Sequence, residues 1–229
     1  MVLSAHQPAY LPWCGYFAKI AAADVFVVLD DVQFERGSYI NRNRILGPNG
    51  PMWLTVPVNL EGHTEKTIRQ IPIVNDGKWQ TSHLKSIEQA YARTPYLHAT
   101  DFLQRFGREV YVYASDVSYL TEWLAGTIGI HTPIYRQSRL DIDKSKRKGD
   151  LILELCKYFK ADVFLFGEHG KEYADESAFR EAGVTVRNQI YVQRPYPQRL
   201  PGWTANLSVL DSFFNIGPRA TGERCKASL

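Results

Sequence analysis

The sequence is poor in cysteine and has no apolar run of membrane-spanning length. Its three cysteines, Cys14, Cys156 and Cys225, share no metal-ligand spacing. An odd number without a pairing pattern is typical of a reducing compartment. No basic and apolar leader precedes the first predicted strand, so we expect no signal peptide. The longest apolar runs are far shorter than the ~20 residues that cross a bilayer. These absences predict a cytoplasmic protein without a membrane span.

A strong excess of charge of one sign is also missing. The formal net charge is +3 over 229 residues, so no basic face is indicated and we expect no nucleic-acid partner. The motifs of zinc proteases, triad esterases, P-loop enzymes and paired-cysteine sites do not occur, and we expect no metal site. Aromatic residues are abundant at 13%. Their size favours core and strand positions over a carbohydrate- or base-stacking surface.

Short apolar runs alternate with helical periodicity along the chain. Residues 2–5, 24–29 and 162–167 have the continuous apolar character of strands buried on both faces. The alternation predicts an α/β fold with a Rossmann-like, mainly parallel sheet. Residues 78–130 carry apolar stripes at three- and four-residue spacing, which predicts a helical subdomain inserted in or flanking a single domain of residues 1–229. Further strands are predicted at 53–58, 67–74, 133–140 and 184–192, and further helices at 16–22, 149–159, 176–182 and 207–214.

The first thirty residues carry the clearest indication of a site. A strand leads to His6, a proline-braced turn and a helix follow, and a second strand leads to Asp30. Ligands of parallel sheets bind outside the carboxyl ends of the strands, so His6 and Asp30 are expected to face one crevice as catalytic groups. Gly15 either lets the helix start pack closely or leaves its N–H groups open to an anion.

Three more residues of this segment are candidates for the same site. Gln7 offers an amide for orientation, Tyr10 a phenol for hydrogen bonding, and Lys19 an ammonium for anions or catalysis. The alternative for Lys19 is a solvated helix face, which fits its position equally well.

A second set of candidates follows the first two strands. Two arginines separated by one residue, Arg42 and Arg44, point to one face of an extended segment and can clamp a diphosphate or carboxylate. Asn41 and Asn43 alternate with them in the sequence and are further binding candidates. The alternative is a solvated polar loop.

Later in the chain, Lys144 and Lys146 belong to the most basic run. This run predicts either a phosphate-binding loop before a helix or a solvated loop. Glu168 and His169 follow a buried strand and are expected to reach the crevice from its far side, as binding or acid–base groups.

The pattern of these residues resembles the WbqC-like protein family. The resemblance rests on His-Gln-Pro-x-Tyr-Leu-Pro-Trp-x-Gly-Tyr-Phe-x-Lys-Ile at residues 6–20, and on residues 23–34, 41–45, 53–58 and 208–218. It spans almost the whole chain and departs at residues 166–170, which suggests a changed substrate pocket. The resemblance implies a role in nucleotide-sugar and surface-polysaccharide biosynthesis of the O-antigen kind, and leaves the reaction open.

A weaker, fold-level likeness is to nucleotidyltransferases of the HIGH type, such as pantothenate synthetase. His6 stands at the first histidine of their phosphate-binding turn, whereas Tyr16 stands at the second and carries no positive charge at neutral pH. Gln33 and Phe34 match a dipeptide that such ligases place after the second strand. This likeness implies ATP with Mg²⁺ as a candidate cofactor, with Tyr16 and Gln33 as binding residues.

Three functions therefore stay open. The first, which we favour, is a transferase or ATP-dependent amide ligase that attaches a small acyl or aminoacyl group to a nucleotide-linked amino sugar. Its partners would be that sugar and an acyl or amino-acid donor. The second is a non-catalytic nucleotide-sugar-binding protein of the same pathway. The third is a thioester-dependent acyltransferase with Cys14 as nucleophile at a helix start, against a packing role for this thiol.

Overall fold

A five-stranded parallel sheet lies at the centre of the protein. The computed structural model describes residues 1–167 and 175–226. The spatial order of the sheet is β5-β2-β1-β6-β7, and a separate hairpin pairs β3 with β4. The predicted Rossmann-like α/β fold is confirmed. The strands are β1 (Val2–His6), β2 (Val25–Val28), β3 (Arg42–Gly47), β4 (Gly50–Thr55), β5 (Ile134–Arg136), β6 (Val163–Phe166) and β7 (Thr185–Asn188).

Helices cover both faces of the sheet. None of the helices within the two described ranges is long and apolar enough to cross a membrane. The helices are α1 (Cys14–Ala21), α2 (Trp79–Tyr91), α3 (Phe102–Arg108), α4 (Ser118–Thr127), α5 (Lys148–Phe159), α6 (Glu176–Glu181), α7 (Val209–Ile216) and α8 (Pro218–Lys226).

The two faces of the sheet are covered by two apolar clusters. On one face, Leu3 and Phe164 pack with Leu155 of α5. On the other, Phe26 of β2 packs in one cluster with Phe17 of α1 and with buried residues of α2, α3, α4 and α7. Strands buried on both faces need continuous apolar sequence, which is why β1, β2 and β6 were recognisable as apolar runs.

The β3–β4 hairpin turns through the Gly-Pro-Asn-Gly segment of residues 47–50, whose composition is typical of a turn. Gly47 and Gly50 are its last paired residues, and Gly50 has a φ of +123°, which favours glycine. Arg44 pairs directly with Trp53 across the hairpin. Residues 42–44 therefore lie in a regular antiparallel strand, as the extended segment predicted, and not in the alternative polar loop.

Two elements differ from the expectation. Residues 67–74 form no strand: Thr67 and Gln70 make a capping box around a 3₁₀ turn, and Ile68 and Ile71 are buried against Ala114. The apolar spacing of this segment fits a turn, because its residues do not alternate strictly. The helix α8 was not predicted at all. Its buried residues are Thr221, Gly222 and Cys225, which produce no apolar stripe.

Candidate functional site

The strand order reverses between β1 and β6, which makes this gap the topological switch point of the sheet. From β1 the chain continues to β2 and β5 on one side, and then crosses to β6 and β7 on the other. Doubly wound folds bind ligands in the crevice outside the carboxyl ends at such a point. Here β1 ends at His6, and Gly167 follows β6.

Lys19 lies in this crevice. It is only 4% exposed, and its Nζ donates a hydrogen bond of 2.7 Å to the carbonyl of Ala5. Pairing between β1 and β6 ends at Ser4, so the ammonium binds β1 at the residue after the last pair. A Cβ on Gly167 would lie 3.9 Å from Nζ. The predicted solvated helix face is therefore wrong for Lys19, whose side chain is buried between the ends of two strands.

The charge of Lys19 is uncompensated in the described part of the chain. Within residues 1–167 and 175–226, no carboxylate lies within ion-pair distance of its Nζ. Burial lowers the pKa of Lys19 from 10.5 to about 7. A bound anion would favour the charged ammonium and raise this pKa. The crevice is therefore suited to an anionic group.

His6 lies beside Lys19 as a neutral imidazole. Its Nδ1 is 2.9 Å from the carbonyl of Gln7, which only accepts, so Nδ1 carries the proton and Nε2 is an acceptor. Burial, followed by the charge of Lys19, lowers the pKa of His6 to about 4. The ring packs edge-on against Tyr16 at 4.9 Å and Trp13 at 6.1 Å between centroids. None of the described residues forms a hydrogen bond with Nε2.

The start of α1 fixes the turn after β1. The hydroxyl of Tyr16 donates to the carbonyl of Gln7 over 3.1 Å. A Cβ on Gly15 would lie 2.9 Å from Nε1 of Trp13 and 3.0 Å from the ring of Tyr191. Close packing thus accounts for the glycine, in agreement with the first of its two predicted roles.

Two polar residues at the end of β7, Asn188 and Gln189, were not found by sequence reasoning. The amide of Gln189 donates to the carbonyl of Gly15 over 3.0 Å and ties the end of β7 to α1. The Oδ1 of Asn188 is buried and has no hydrogen-bond partner among the residues described. In the sequence, an amide residue at the end of an edge strand looks like any polar loop residue. No local pattern therefore pointed to Asn188 or Gln189.

Arg136, at the end of β5, was also missed. It stands in one row of the sheet with Val28 and His6, so it projects from the same face as His6. The guanidinium is buried, lies 4.1 Å from the ring centroid of Tyr119, and is 3.6 Å from the carboxylate of Glu122. This second buried cation differs from Lys19 in having a carboxylate partner.

Asp30 follows β2 as predicted, but its carboxylate is already engaged. It accepts hydrogen bonds from the N–H of Ser138 at 2.8 Å and from the hydroxyl of Ser138 at 2.6 Å. Lys144 donates to the carbonyl of the same serine at 3.0 Å. Asp30 and Lys144 thus meet at the turn after β5, and their roles toward a ligand stay predictions.

Tyr10 and Gln33 form hydrogen bonds that lead away from the crevice. Tyr10 is fully buried, and its hydroxyl lies 2.7 Å from Nδ1 of His83 in α2. The amide of Gln33 donates to the carbonyl of Thr64 over 2.9 Å. These hydrogen bonds hold both side chains in place within the fold. The roles of Tyr10 and Gln33 in ligand binding stay predictions.

The two asparagines of the second candidate set fix the β3–β4 hairpin. The amide of Asn41 donates to the carbonyl of Val56 at 2.8 Å, and that of Asn43 to the carbonyl of Leu11 at 2.7 Å. Both are buried. Arg42 and Arg44 project together from the opposite face, as their spacing indicates, and both guanidiniums lie over Trp53.

The remaining candidates lie elsewhere. Lys146 lines a groove beside α5 together with Asp150 and Lys157. Glu168 and His169 lie outside the described residues. Cys14 is 3% exposed, and its Sγ is 3.4 Å from the hydroxyl of Ser212, so the thiol is packed between helices. Over the part of the chain that is described, no group of three metal-ligating side chains occurs.

The parallel sheet with its switch-point crevice defines a Rossmann-like α/β protein with a candidate anion site formed by Lys19 and His6. The chain belongs to the WbqC-like protein family, whose sequence profile matches residues 7–223. It is also similar to the uncharacterized protein Rv1507c of Mycobacterium tuberculosis, with 30% identity over 220 residues that cover 93% of each chain. No solved structure matches the chain significantly.

Proposed function

We propose that the protein is a group-transfer enzyme of nucleotide-sugar and surface-polysaccharide biosynthesis. It would attach a small acyl or aminoacyl group to an amino sugar linked to a nucleotide. The observation that carries the proposal is the buried ammonium of Lys19 beside the neutral imidazole of His6 at the switch point. A buried cation that no carboxylate among residues 1–167 and 175–226 pairs with favours a phosphate or carboxylate ligand. Membership in the WbqC-like family supports the pathway.

The two side chains have complementary roles in this proposal. The amine nitrogen of the sugar attacks the acyl carbon, a C–N bond forms, and the bond from that carbon to its leaving group breaks. His6 accepts the proton of the amine at Nε2. Lys19 stabilises the negative charge that passes to the leaving group. An anion beside Lys19 also offsets the positive charge that lowers the pKa of His6, which makes the imidazole a better base once substrate is bound.

The acyl donor distinguishes two versions of the reaction. An acyl-adenylate made from ATP has a phosphate leaving group, and a thioester has a thiolate. Tyr16 donates its hydroxyl proton to the carbonyl of Gln7, so it adds no charge for the phosphates of ATP, which Lys19 would have to hold. The buried position of Cys14 argues against a covalent acyl-cysteine, because the thiol has almost no exposed surface.

A non-catalytic nucleotide-sugar-binding protein is the second candidate. The low pKa of His6, about 4 without ligand, favours it, because so weak a base accepts a proton poorly. Turnover decides between the two candidates: mass spectrometry detects an acylated sugar only if the protein is an enzyme.

The test is calorimetric titration at pH 8 with ATP, a nucleotide-linked amino sugar and an acyl-CoA thioester, each in two buffers of different ionisation enthalpy. With a pKa near 7, Lys19 is mostly neutral at pH 8. Binding an anion beside it should therefore take up close to one proton. We expect Lys19→Met to remove this uptake and to weaken binding at least tenfold, or about 1.4 kcal/mol. His6→Gln should retain binding and lose turnover.

The exposed Lys85 of α2 supplies the control. Lys85→Met should leave affinity and proton uptake unchanged. The proposal fails if Lys19→Met binds every ligand as the wild type does, or if no anionic ligand takes up a proton on binding.

A further inference from the structure

A series of aromatic rings connects the crevice with the β3–β4 hairpin. Trp13 contacts His6 at 6.1 Å between ring centroids, Tyr39 contacts Trp13 at 5.3 Å, and Trp53 contacts Tyr39 at 5.8 Å. We call Trp13, Tyr39 and Trp53 the aromatic platform. Tyr39 is 38% exposed and Trp53 is 44% exposed, so the platform emerges from the crevice onto the surface.

Two guanidinium groups border the exposed end of this platform. The Cζ of Arg42 is 4.5 Å from the ring centroid of Trp53, and that of Arg44 is 5.6 Å away. Arg42 also donates to the carbonyl of Gly37. Neither arginine makes an ion pair within the two described ranges, and the Nε of each is buried without a hydrogen-bond partner there. Two positive charges are thus held side by side without described counter-charges.

The opposite face of the hairpin anchors it to the rest of the protein. The amides of Asn41 and Asn43 form buried hydrogen bonds there, and Ile45 and Leu54 lie in the core. The exposed rings of Tyr39 and Trp53, beside arginines that make no ion pair with any described residue, are therefore available for a ligand. Stacking on Trp53 also limits the motion of the guanidiniums before any ligand binds.

We infer that this face of the hairpin binds a nucleoside diphosphate, with Arg42 and Arg44 on the phosphates and the base stacked on Tyr39 and Trp53. The planar fork of arginine matches phosphate oxygens, and adjacent phosphates match two arginines on one face. Nucleobases stack on exposed aromatic rings without sequence preference. The inference rests on the proposed function: the hairpin holds the nucleotide carrier while the sugar reaches His6 and Lys19 along the platform.

The test follows the binding of UDP, ADP, GDP and TDP by calorimetry, with inorganic pyrophosphate and uridine as partial ligands. We expect Arg42→Gln with Arg44→Gln to weaken both the diphosphates and pyrophosphate at least tenfold. Trp53→Leu should weaken the nucleoside diphosphates roughly tenfold and pyrophosphate by a smaller factor, because it removes base stacking as well as the support of the guanidiniums. Trp53→Phe should restore most of the loss. Circular dichroism verifies that each variant is folded.

Matched controls come from residues of the same types elsewhere. Arg219→Gln changes an arginine of α8 that is 94% exposed, and Tyr158→Leu removes an aromatic ring of α5 that is 46% exposed. Neither should change nucleotide binding. The inference is overturned if none of the four diphosphates binds the wild type, or if the hairpin variants bind them as the controls do. Preferential binding of an acidic peptide or a neutral oligosaccharide would also overturn it.

The binding experiments distinguish a failure of this inference from a failure of the proposed function. If the hairpin variants retain nucleotide affinity while Lys19→Met loses proton uptake, the crevice is the site and the platform is not. If the hairpin variants lose nucleotide affinity while Lys19→Met behaves like Lys85→Met, the platform binds nucleotide and the proposed chemistry at Lys19 is wrong.

Discussion

Lys19 shows how one residue can be costly to the fold and useful to a site. Desolvation of an ammonium is unfavourable, and the single hydrogen bond to the carbonyl of Ala5 offsets only part of it. The part of the desolvation cost that is not offset lowers the pKa of Lys19, so the neutral amine is favoured. An anionic ligand would instead favour the charged ammonium. The charge of Lys19, which destabilises the protein without ligand, would then strengthen ligand binding.

The free energy of unfolding should depend on pH through Lys19. The pKa is about 7 in the folded state and near 10.5 when unfolded. Between these values the unfolded state binds more protons, so stability rises with pH, by up to about 1.4 kcal/mol per pH unit. Urea unfolding at pH 7 and pH 8.5 should give a gain of about 1.5 kcal/mol for the wild type beyond that of Lys19→Met.

The thiol of Cys156 and the buried phenols also contribute to the absolute slope, because their raised pKa values act in the opposite direction at higher pH. The difference between wild type and variant cancels these groups. Lys85→Met should keep the slope of the wild type. Equal slopes for the wild type and Lys19→Met would show that Lys19 stays charged in the folded protein.

At the scale of elements, the docking of α8 depends on one glycine. A Cβ on Gly222 would lie 1.8 Å from the carbonyl oxygen of Ile128, which is backbone and cannot rotate away. We expect Gly222→Ala to lower the free energy of unfolding by about 3 kcal/mol, at the upper end of overpacking costs. Urea unfolding measures this change.

Gly126 in α4 is the matched control, because an added Cβ there meets nothing within 4 Å. Gly126→Ala should raise stability by about 0.5–1 kcal/mol, the intrinsic helix preference of alanine over glycine. If Gly222→Ala were as stable as the wild type, α8 would have to lie farther from Ile128 than the structure places it.

The elements also show which parts of the fold are readable from sequence. Residues 2–5, 24–29 and 162–167 predicted β1, β2 and β6 to within one residue at each end, because a strand buried on both faces is apolar throughout. Residues 67–74 and α8 gave no such pattern. The first is shaped by a capping box, and the second packs through small residues.

The candidate site also contains some residues that local sequence predicts and others that it does not. The position of His6 at a strand end was predictable from local sequence. The burial of Lys19 was not, since a lysine on a short helix is usually solvated, and its environment comes from β6, more than 140 residues away. Arg136 and Asn188 join the same edge of the sheet only through strand order, which no local pattern contains.

At the scale of the whole molecule, one apolar cluster joins the sheet to the helices between β2 and β5. Phe26 of β2, Ile87 of α2, Phe102 of α3 and Leu124 of α4 all belong to it and are fully buried. The terminal helices take part through Phe213 of α7 and Cys225 of α8. This shared core couples the helical layer to the sheet, because separating the two would expose the apolar cluster between them to water.

We therefore expect the sheet and the helical layer to unfold together. In a variant that carries phenylalanine in place of Trp13, Trp53 and Trp203, tryptophan fluorescence reports only on Trp79 and Trp123 of the helical layer. Its urea transition should coincide with that of far-UV circular dichroism. Phe26→Ala in β2 and Phe102→Ala in α3 should each lower the free energy of unfolding by about 3–5 kcal/mol and shift both signals equally. A Phe102→Ala variant whose fluorescence transition moves alone would mean that the helical layer unfolds as a separate unit, in spite of the shared core.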